Sequence, residues 1–562
     1  MKRLLYGGTV VNVFTGEMER ANVLIENEKI IGVGAYSPDD ADVTEDITGK
    51  FVCPGFIDGH IHIESTMLTT SELAKLCMPH GTTAIVADPH EIANVCGMDG
   101  IRYMMESSDG IPMSVYFTLP SCVPATAFDE PGAVLKAEDI RPLYENKQVV
   151  GLAEMMNYPG VLLGDRDVYH KIGDAIERGK VVDGHAPFLS GKDLDKYILA
   201  GVTSDHECST ADEAIEKIRK GQWVMIRQGT AARNLIELLP LFDGAYSHRC
   251  ILVTDDRHPA DLMRDGHIDN IIRLAVKHGK SVITAIKMAT IQAAQCFGLR
   301  FVGAVAPGYR ADLLVLNDLN TVDIEDVYSR GEKVVQRKQM KAFDCPEIAE
   351  ELCKTVRNSF HTKELTVADF HIAEKGNNCR VIEIIPGQLL TREQVCQIDW
   401  SKNNGIDTAR DILKLAVIER HKNTGHIGLG FIQGIGIKNG AIASSVSHDS
   451  HNIIVIGSND EDMVIAANHI RKNGGNVVVS AGKIIADMAL PIAGLMTELS
   501  GEEIALANEK VRRAVYELGV PGDIEPFMNM AFVSLPVIPS LKMTPQGLVN
   551  VDKQERISLY CD

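Results

Sequence analysis

Two histidines, His60 and His62, stand one residue apart at the end of a short apolar run, in the segment GFIDGHIHIES of residues 55–65. Side chains alternate across a strand with a period of two, so both imidazoles face one side while Ile61 faces the other. This arrangement can chelate a metal ion. A pair of solvated or hydrogen-bonded histidines has the same spacing, so other residues of the chain must decide.

Further histidines and carboxylates close other apolar runs in the same way. Glu154, His185 and His206 each stand at the end of such a run, and Asp255 and Asp256 close the last one. Imidazole and carboxylate ligands without thiolates suit zinc, manganese or iron(II). The candidate ligands are His60, His62, Glu154, His185, His206 and Asp255. They exceed the needs of one ion, whereas two ions roughly 3.5–4 Å apart, bridged by a carboxylate and a hydroxide, would use all of them. Glu154 is placed to be that bridge.

The apolar runs alternate with longer amphipathic stretches, which is the pattern of βα units around a parallel sheet. The strand-like runs cover residues 55–63, 82–90, 112–121, 149–156, 181–186, 201–207, 223–230 and 250–256. Eight strands with intervening helices in about 200 residues match a (β/α)8 TIM barrel, whose active sites lie at the carboxyl ends of the strands. A doubly wound open sheet is the structural alternative. A barrel would bring the candidate ligands together at one face.

The segments on either side of the predicted barrel have a different pattern. Short β-rich stretches dominate the start of the chain, and the stretch VGAVAPGYRADLLVLN returns to this pattern after the barrel. We therefore predict an α/β protein in four parts. They are the N-terminal part of a small β-sandwich (1–50), the barrel (51–300), the returning part of the sandwich (301–344) and a C-terminal α/β domain (345–562).

The composition excludes several classes of partner. Asp and Glu number 76 against 56 Lys and Arg, giving a net charge of -20, and no basic run is long enough to follow a nucleic-acid backbone. The first apolar stretch is broken by Gly7, Gly8 and Asn12, so it does not read as a signal peptide. The late stretch IIADMALPIAGLM is too short to span a bilayer. The 12 cysteines of the chain include no C-x-x-C pair and fit reduced thiols. From the charge, the apolar stretches and the cysteines together, we expect a cytoplasmic protein without nucleic-acid or membrane partners.

Several longer segments carry a family resemblance over nearly the whole chain. They are PGFIDGHIHIEST, GTTAIVADPHEIANVCG, GLAEMMNYPGV, DGHAP, GVTSDHE, TDDRHPADL, GAVAPGYRADLLVL and SSVSHDSHNIIVIG. With these segments the chain resembles the amidohydrolase superfamily and, within it, the bacterial adenine deaminases. Relatives that act on cyclic ureas, imides and amides often carry a lysine at the end of strand four. Here that position is Glu154, as in the adenine deaminases.

The resemblance implies hydrolysis of adenine to hypoxanthine and ammonia at a binuclear centre of Mn2+ or Fe2+, with Zn2+ as a further possibility. A metal-bridged hydroxide would attack C6 of the purine, and Asp255 would pass its proton to the leaving amine. The resemblance also implies a homodimer. One alternative is another amidohydrolase acting on a cyclic amidine or amide. A second is a non-catalytic metal-binding or assembly module of the same fold.

Less specific residues are candidates for substrate binding. Asp88, His90 and Glu91 follow the second predicted strand, where a helix cap or a structural hydrogen bond is the alternative. Arg227 and Gln228 on the seventh strand would hold the purine nitrogens, unless the arginine forms a buried ion pair. All five residues belong to segments at the carboxyl ends of predicted strands, which is the face of the barrel that carries the candidate metal ligands.

Two further assignments rest on local pattern alone. Strand parity and the family pattern favour Asp255 over Asp256 as the metal ligand, but parity slips where a strand bulges, so Asp256 stays a candidate for substrate contact. The segment SHDSHN, with His448, Asp449 and His451, precedes a predicted strand. It predicts an approach to the active site or another metal site, with loop hydrogen bonding and capping as the alternative.

Overall fold

A computed structural model describes residues 1–230, 232–386, 388–522 and 524–561 of the chain. The described residues divide into two compact units. The first unit consists of Met1–Pro89, Met104–Ser121 and Lys136–Glu347. The second unit consists of His90–Tyr103, Cys122–Leu135 and the chain from Ile348 onward. The chain therefore passes between the units several times, and the four-part division along the sequence stays a prediction.

The first unit begins with seven short strands. They are β1 (Lys2–Tyr6), β2 (Thr9–Val11), β3 (Met18–Arg20), β4 (Asn22–Glu26), β5 (Lys29–Gly34), β6 (Val43–Asp46) and β7 (Phe51–Pro54). One sheet has the strand order β5-β4-β1-β6. Its buried residues Leu5, Val23 and Ile30 belong to one hydrophobic cluster. Burial of this face holds the short strands together.

A parallel, curled sheet follows. Its strands are β8 (Phe56–Ile61), β9 (Thr82–Ala87), β10 (Ser114–Leu119), β11 (Val149–Met155), β12 (Val181–Gly184), β13 (Ser204–Asp205), β14 (Trp223–Arg227) and β15 (Cys250–Val253). The hydrogen-bonded orders are β12-β11-β10-β9-β8 and β13-β14-β15. The amide of Asp255 donates to the carbonyl of His60, and that of Thr203 to Val182, both at 2.9 Å. These bonds connect β15 to β8 and β12 to β13. Each strand lies within one of the runs that the sequence predicts.

Helices alternate with these strands along the chain. They are α1 (Thr70–Cys77), α2 (His90–Glu106), α3 (Ala137–Ile140), α4 (Tyr158–Leu163), α5 (Arg166–Glu177), α6 (Gly191–Leu199), α7 (Ala211–Arg219), α8 (Leu235–Leu238), α9 (Pro259–Asp265), α10 (Ile268–Lys277), α11 (Val282–Met288) and α12 (Ile291–Cys296). Helix α5 begins where the Asp165 side chain accepts hydrogen bonds from the amides of Asp167 and Val168. In α2 the helical path is interrupted at Gly97, whose φ of 59° suits a residue without a side chain.

The last strands of the first unit return to the sheet that the chain left at β7. They are β16 (Leu313–Asp318), β17 (Asp323–Ser329), β18 (Glu332–Gln336) and β19 (Gln339–Met340). The sheet order is β19-β18-β17-β16-β7-β2-β3. In it, Val315 pairs with Val52 on the antiparallel neighbour. Residues from before and after the parallel sheet thus share one sheet.

The second unit is built on a long mixed sheet. Its elements from residue 348 onward are α13 (Glu350–Arg357), β20 (Asn378–Ile384), β21 (Thr391–Gln397), β22 (Leu413–Ile418), β23 (Ile427–Gln433), β24 (Ala441–Ser444), β25 (Ile453–Gly457), α14 (Asp460–Asn473), β26 (Asn476–Ser480), β27 (Lys483–Met488), α15 (Gly501–Glu517), α16 (Pro526–Val533), β28 (Leu541–Thr544), β29 (Gly547–Asn550) and β30 (Glu555–Arg556). The sheet order is β21-β20-β23-β22-β25-β24-β26-β27. Val455, Met463 and Val477 belong to the cluster that α14 buries against this sheet.

Two properties of the described residues concern partners and redox state. No helix in the described ranges has both the length and the apolarity that crossing a bilayer requires. The cysteines in these ranges are free thiols. Burial raises the pKa of several of them, including Cys96 to about 12, which disfavours the reactive thiolate.

Candidate active site

The carboxylate of Glu154 lies among histidines at the carboxyl ends of the parallel strands. Strand β11 is buried throughout, so this side chain projects into the interior. Its Oε1 atom lies 3.4 Å from Nε2 of His62. Its Oε2 atom lies 2.7 Å from Nδ1 of His185 and 3.2 Å from Nε2 of His206. The two oxygens therefore face different histidines, as a bridging carboxylate requires.

Of the two neighbouring aspartates after β15, Asp255 is the one that faces the histidines. Its Oδ1 atom lies 3.3 Å from Nε2 of His62 and 4.0 Å from Nε2 of His60. Asp255 has a φ of 60°, so the chain turns sharply as the strand ends. Asp256 instead accepts a hydrogen bond of 2.5 Å from the hydroxyl of Ser65. The geometry thus favours Asp255 as the ligand.

The rings of His60 and His62 are oriented by hydrogen bonds on the side away from the centre. Nδ1 of His60 lies 3.0 Å from a carboxylate oxygen of Asp183, and Nδ1 of His62 lies 3.1 Å from the carbonyl of Asp88. Both acceptors keep the ring proton on Nδ1, so the Nε2 lone pairs point inward. Nε2 of His60 is buried and has no hydrogen-bond partner among the described residues. The Nε2 atoms of these two rings are therefore suitable ligands for a metal cation.

Burial and neighbouring charges shift the pKa values of the residues in this cluster in opposite directions. Burial favours the neutral form of Glu154, but hydrogen bonds and charges of His185 and His206 hold its pKa well below its ordinary value. Burial opposes the charged form of His206, but Glu154 raises its pKa to about 10. Burial also opposes the charged form of His62, but Asp255 and other carboxylates hold its pKa well above its ordinary value. Protons and cations therefore compete for the same nitrogens.

Glu207 belongs to this cluster but was not among the predicted residues. It directly follows His206 in the sequence, and its Oε1 atom lies 3.5 Å from Nδ1 of His185 and 3.4 Å from Nε2 of His206. Arg227 donates to both oxygens of Glu207, at 2.5 and 2.8 Å, and to Oδ2 of Asp255 at 2.6 Å. Arg227 thus forms a partly buried ion pair with Glu207 and Asp255, and its contact with the purine stays a prediction.

Two aspartates that support the cluster were also missed. Asp183 accepts hydrogen bonds from the Ser204 hydroxyl at 2.6 Å and the Gly184 amide at 2.8 Å, and it orients His60 as described. Asp58 accepts from the Thr254 amide at 3.1 Å. Each stands two residues before a histidine, in VVDGHA and FIDGHIH, and the period of a strand places such residues on one face. That spacing is the signal that would have found them.

Asp88 and Gln228 are predicted substrate-binding residues of the first unit. The carbonyl of Asp88 holds His62, as noted. The backbone amide of Gln228 donates to the carbonyl of Val253 at 3.1 Å. The side-chain Oε1 of Gln228 is buried without a hydrogen-bond partner in the described part of the chain. An acceptor of this kind suits a ligand N–H group.

The remaining candidates gather in the second unit. Nδ1 of His448 lies 3.2 Å from Oε1 of Glu91, and Nε2 of His451 lies 3.9 Å from Oε2 of the same carboxylate. Nε2 of His90 lies 3.9 Å from Oδ1 of Asp449. Within this unit, the structure therefore brings His90 and Glu91 together with the SHDSHN segment. Their predicted contact with substrate is untested and stays a prediction.

Comparison with known proteins gives the same affiliation as the sequence motifs. Residues 51–334 match the Amidohydrolase family, and residues 388–555 match the Adenine deaminase C-terminal domain. Adenine deaminase from Desulfatibacillum aliphaticivorans is 44% identical over 99% of this chain and 97% of its own length. Adenine deaminase from Clostridium acetobutylicum is 45% identical over 96% of this chain and 95% of its own length. The solved dihydropyrimidinase of Brevibacillus agri NCHU1002 is 20% identical, with a TM-score of 0.47, over 60% of this chain and 96% of its own.

The match over half of the chain and the near-complete coverage of the relatives settle the affiliation. The chain belongs to the amidohydrolase family and, within it, to the adenine deaminases. The predicted resemblance is thereby confirmed.

Proposed function

We infer that the protein catalyses the hydrolytic deamination of adenine, in which adenine and water give hypoxanthine and ammonia. The observation that carries this conclusion is the identity of 44% with an adenine deaminase over 99% of the chain. Glu154, where relatives that hydrolyse cyclic amides often have a lysine, agrees with it. The alternative reactions on cyclic amidines or amides are not favoured.

We propose that the curled parallel sheet is a closed (β/α)8 barrel. The bonds from Asp255 to His60 and from Thr203 to Val182 support closure, because they link the strands at both ends of the two hydrogen-bonded groups. The shared sheet on either side of it would be part of the predicted β-sandwich. The functional residues would then stand at the face where this fold places its active sites.

The proposed cofactor is a pair of divalent cations, Mn2+ or Fe2+, with Zn2+ also compatible with the donors. The residues that would hold them are His60, His62, Glu154, His185, His206 and Asp255. The inward lone pairs of His60 and His62 and the unpartnered Nε2 of His60 support this choice. When bound, such a pair lowers the pKa of water and supplies a nucleophile near neutral pH.

The protein's own residues would position the substrate and move the protons. Asp255 is held by Arg227 through Oδ2, while its Oδ1 faces the histidines. Arg227 and the histidines offset burial, so the pKa of Asp255 lies well below its ordinary value and the group is an ionised carboxylate at neutral pH. Asp255 would take a proton from the attacking water and return it to the amine that leaves from C6.

The substrate contacts remain proposals. Gln228 offers an unpartnered acceptor, while Asp88, His90, Glu91, Arg227, Asp256, His448, Asp449 and His451 are the other candidates. A homodimer and a cytoplasmic location also remain predictions of the sequence. A buried pocket that pairs with a ring N–H loses that bond when ribose replaces the hydrogen, so we expect the free base to be preferred to the nucleoside.

Ammonia release tests the assignment. The purified protein, loaded with Mn2+ or Fe2+, is supplied with adenine, adenosine, guanine, a 9-substituted adenine and a cyclic amide such as dihydrouracil. We expect ammonia and hypoxanthine from adenine alone at a substantial rate. Ammonia from adenosine but not from adenine would overturn the assignment. Near-equal kcat/KM for adenine and the 9-substituted base would show that the ring N–H is not read.

A further inference from the structure

A second set of potential metal ligands lies in the second unit and shares no residue with the set assigned above to the deaminase centre. It consists of Glu91, His448 and His451. Glu91 stands in the first turn of α2, and the two histidines stand between β24 and β25. One carboxylate oxygen faces each ring, with separations of 3.2 Å to Nδ1 of His448 and 3.9 Å to Nε2 of His451.

The surrounding chain holds both rings in place. His451 is fully buried, and its carbonyl accepts a hydrogen bond from the buried guanidinium of Arg420. The ring of His448 stacks on Phe532, with centroids 4.5 Å apart and planes inclined by 20°. Nε2 of His451 is buried and has no hydrogen-bond partner among the residues that the structure describes. A nitrogen that has lost water in this way needs a partner.

We propose that Glu91, His448 and His451 bind a further divalent cation, for which zinc is the best match. Two imidazoles and one carboxylate are a common zinc ligand set. Ligand atoms about 2.0–2.2 Å from a tetrahedral ion lie roughly 3.3–3.6 Å from one another. The observed 3.2 and 3.9 Å run to the two oxygens of Glu91, and one ligand atom from each of the three residues lies within 4.8 Å of the others. Binding therefore requires these atoms to approach one another by at most about 1 Å.

Nearby charges support binding of a cation. Oδ1 of Asp449 lies 4.0 Å from Nδ1 of His448, which places a second carboxylate within reach of the same ion. Together Glu91 and Asp449 balance the charge of a divalent cation. The charge of Arg420 opposes it, but this guanidinium donates to backbone carbonyls, including that of Ala493 at 2.8 Å.

Binding requires a defined rearrangement of protons. The amide of Ser447 donates to Nδ1 of His451 at 3.2 Å, so the neutral ring carries its proton on Nε2. Coordination uses the lone pair of Nε2, so the proton moves to Nδ1 and the contact with Ser447 opens. The ring stays neutral throughout. The separation between the Ser447 nitrogen and Nδ1 should therefore lengthen beyond 3.2 Å when zinc is bound.

Metal analysis of the full-length protein tests this proposal. The parent, Glu91→Gln and His451→Gln are produced in zinc-supplemented medium, freed of loose metal by gel filtration and analysed by mass spectrometry. We expect each variant to contain one ion fewer per chain than the parent. His469→Gln is the matched control, because His469 lies in the same unit and hydrogen-bonds Asp487. It should retain the parent's metal content.

A crystallographic measurement needs no variant. Anomalous scattering at the zinc edge should show a peak between Glu91, His448 and His451 in crystals of the parent. Absence of this peak, or equal metal content in the parent and both folded variants, would overturn the proposal. Because the first measurement is a difference in ion content, it does not depend on turnover or on how many ions the deaminase centre holds. Failure of the deaminase assignment would therefore leave its outcome unaffected.

Discussion

At the scale of single residues, Glu154 is the side chain on which the proposed pair of cations depends. Its two oxygens face different histidines, and a neutral amide would offer only one good acceptor to that space. We expect Glu154→Gln to lower the metal content by about one ion per chain and to reduce kcat at least 100-fold, in line with the loss of a major electrostatic contribution. Metal analysis and ammonia release measure these effects.

The matched control for that change is Glu138→Gln. Glu138 is exposed in α3, so the same loss of one carboxylate charge should leave metal content and turnover unchanged. A fully metallated and fully active Glu154→Gln enzyme would remove the basis for the two-metal arrangement.

Asp255 and Asp256 offer a second test at this scale, because adjacent residues of the same type differ in their contacts. Asp255→Asn should lower kcat by about 10²- to 10⁴-fold, the usual loss when an acid–base group is removed. Asp256→Asn, which alters the bond from Ser65, should have a smaller effect. Steady-state kinetics with adenine compares the two. The reverse order would show that Asp256 carries the proton.

At the scale of the elements, strands hold one another's ligands in position. Asp183 on β12 orients His60 on β8, and its Oδ2 atom lies 3.0 Å from Nδ1 of that ring. Asp183→Asn weakens this acceptor, so we expect the affinity for metal to fall by roughly 10- to 100-fold, as for other residues that orient metal ligands. Competition with a chelating dye measures the affinity.

The kcat of Asp183→Asn at excess metal distinguishes a role in positioning His60 from a direct catalytic role. Excess metal should restore most of kcat if Asp183 acts only through His60. Asp193→Asn, an exposed position in α6, is the control and should bind metal as the parent does. A variant that binds metal normally would show that the hydrogen bond to His60 is dispensable.

The sequence predicted the elements better than the contacts between them. Each parallel strand lies inside a predicted run, because buried parallel strands are short continuous apolar segments bounded by turns. Glu207 was missed because its partner Arg227 lies 20 residues away, and no local period indicates which charges will pair across strands. The pairing of Glu91 with His448 joins still more distant segments. Such contacts follow from the topology, which a single sequence specifies only indirectly.

At the scale of the whole molecule, a half-buried carboxyl group, that of Asp129, links stability to pH. Burial raises the pKa of Asp129, in the second unit, to about 7, while hydrogen bonds from Thr126 oppose this shift. An unfolded aspartate releases its proton near pH 3.9, so between about pH 4 and 7 the folded chain binds more protons than the unfolded chain. The contribution of Asp129 to stability is therefore fully present below this interval, falls as pH rises through it, and is lost above pH 7.

Asp129→Asn removes this titration while keeping an acceptor for Thr126. We expect the variant to be more stable than the parent at pH 8, by on the order of 1 kcal/mol after allowance for solvent screening, and to lose that advantage at pH 4. Chemical denaturation at both pH values, followed by circular dichroism, measures the difference. An equal or smaller advantage at pH 8 than at pH 4 would contradict the assigned direction.

The passage of the chain between the two units has a consequence for biosynthesis. The segments His90–Tyr103 and Cys122–Leu135 leave the ribosome long before Ile348 and the residues that follow, although they belong with those residues. In the finished protein the side chain of Asn452 donates to the carbonyl of Glu130 at 3.0 Å. At about 5–20 residues per second, the nascent chain must keep these early segments unburied for on the order of tens of seconds. A premature stop codon late in the reading frame would leave them permanently exposed, and so would create a substrate for chaperones and proteases.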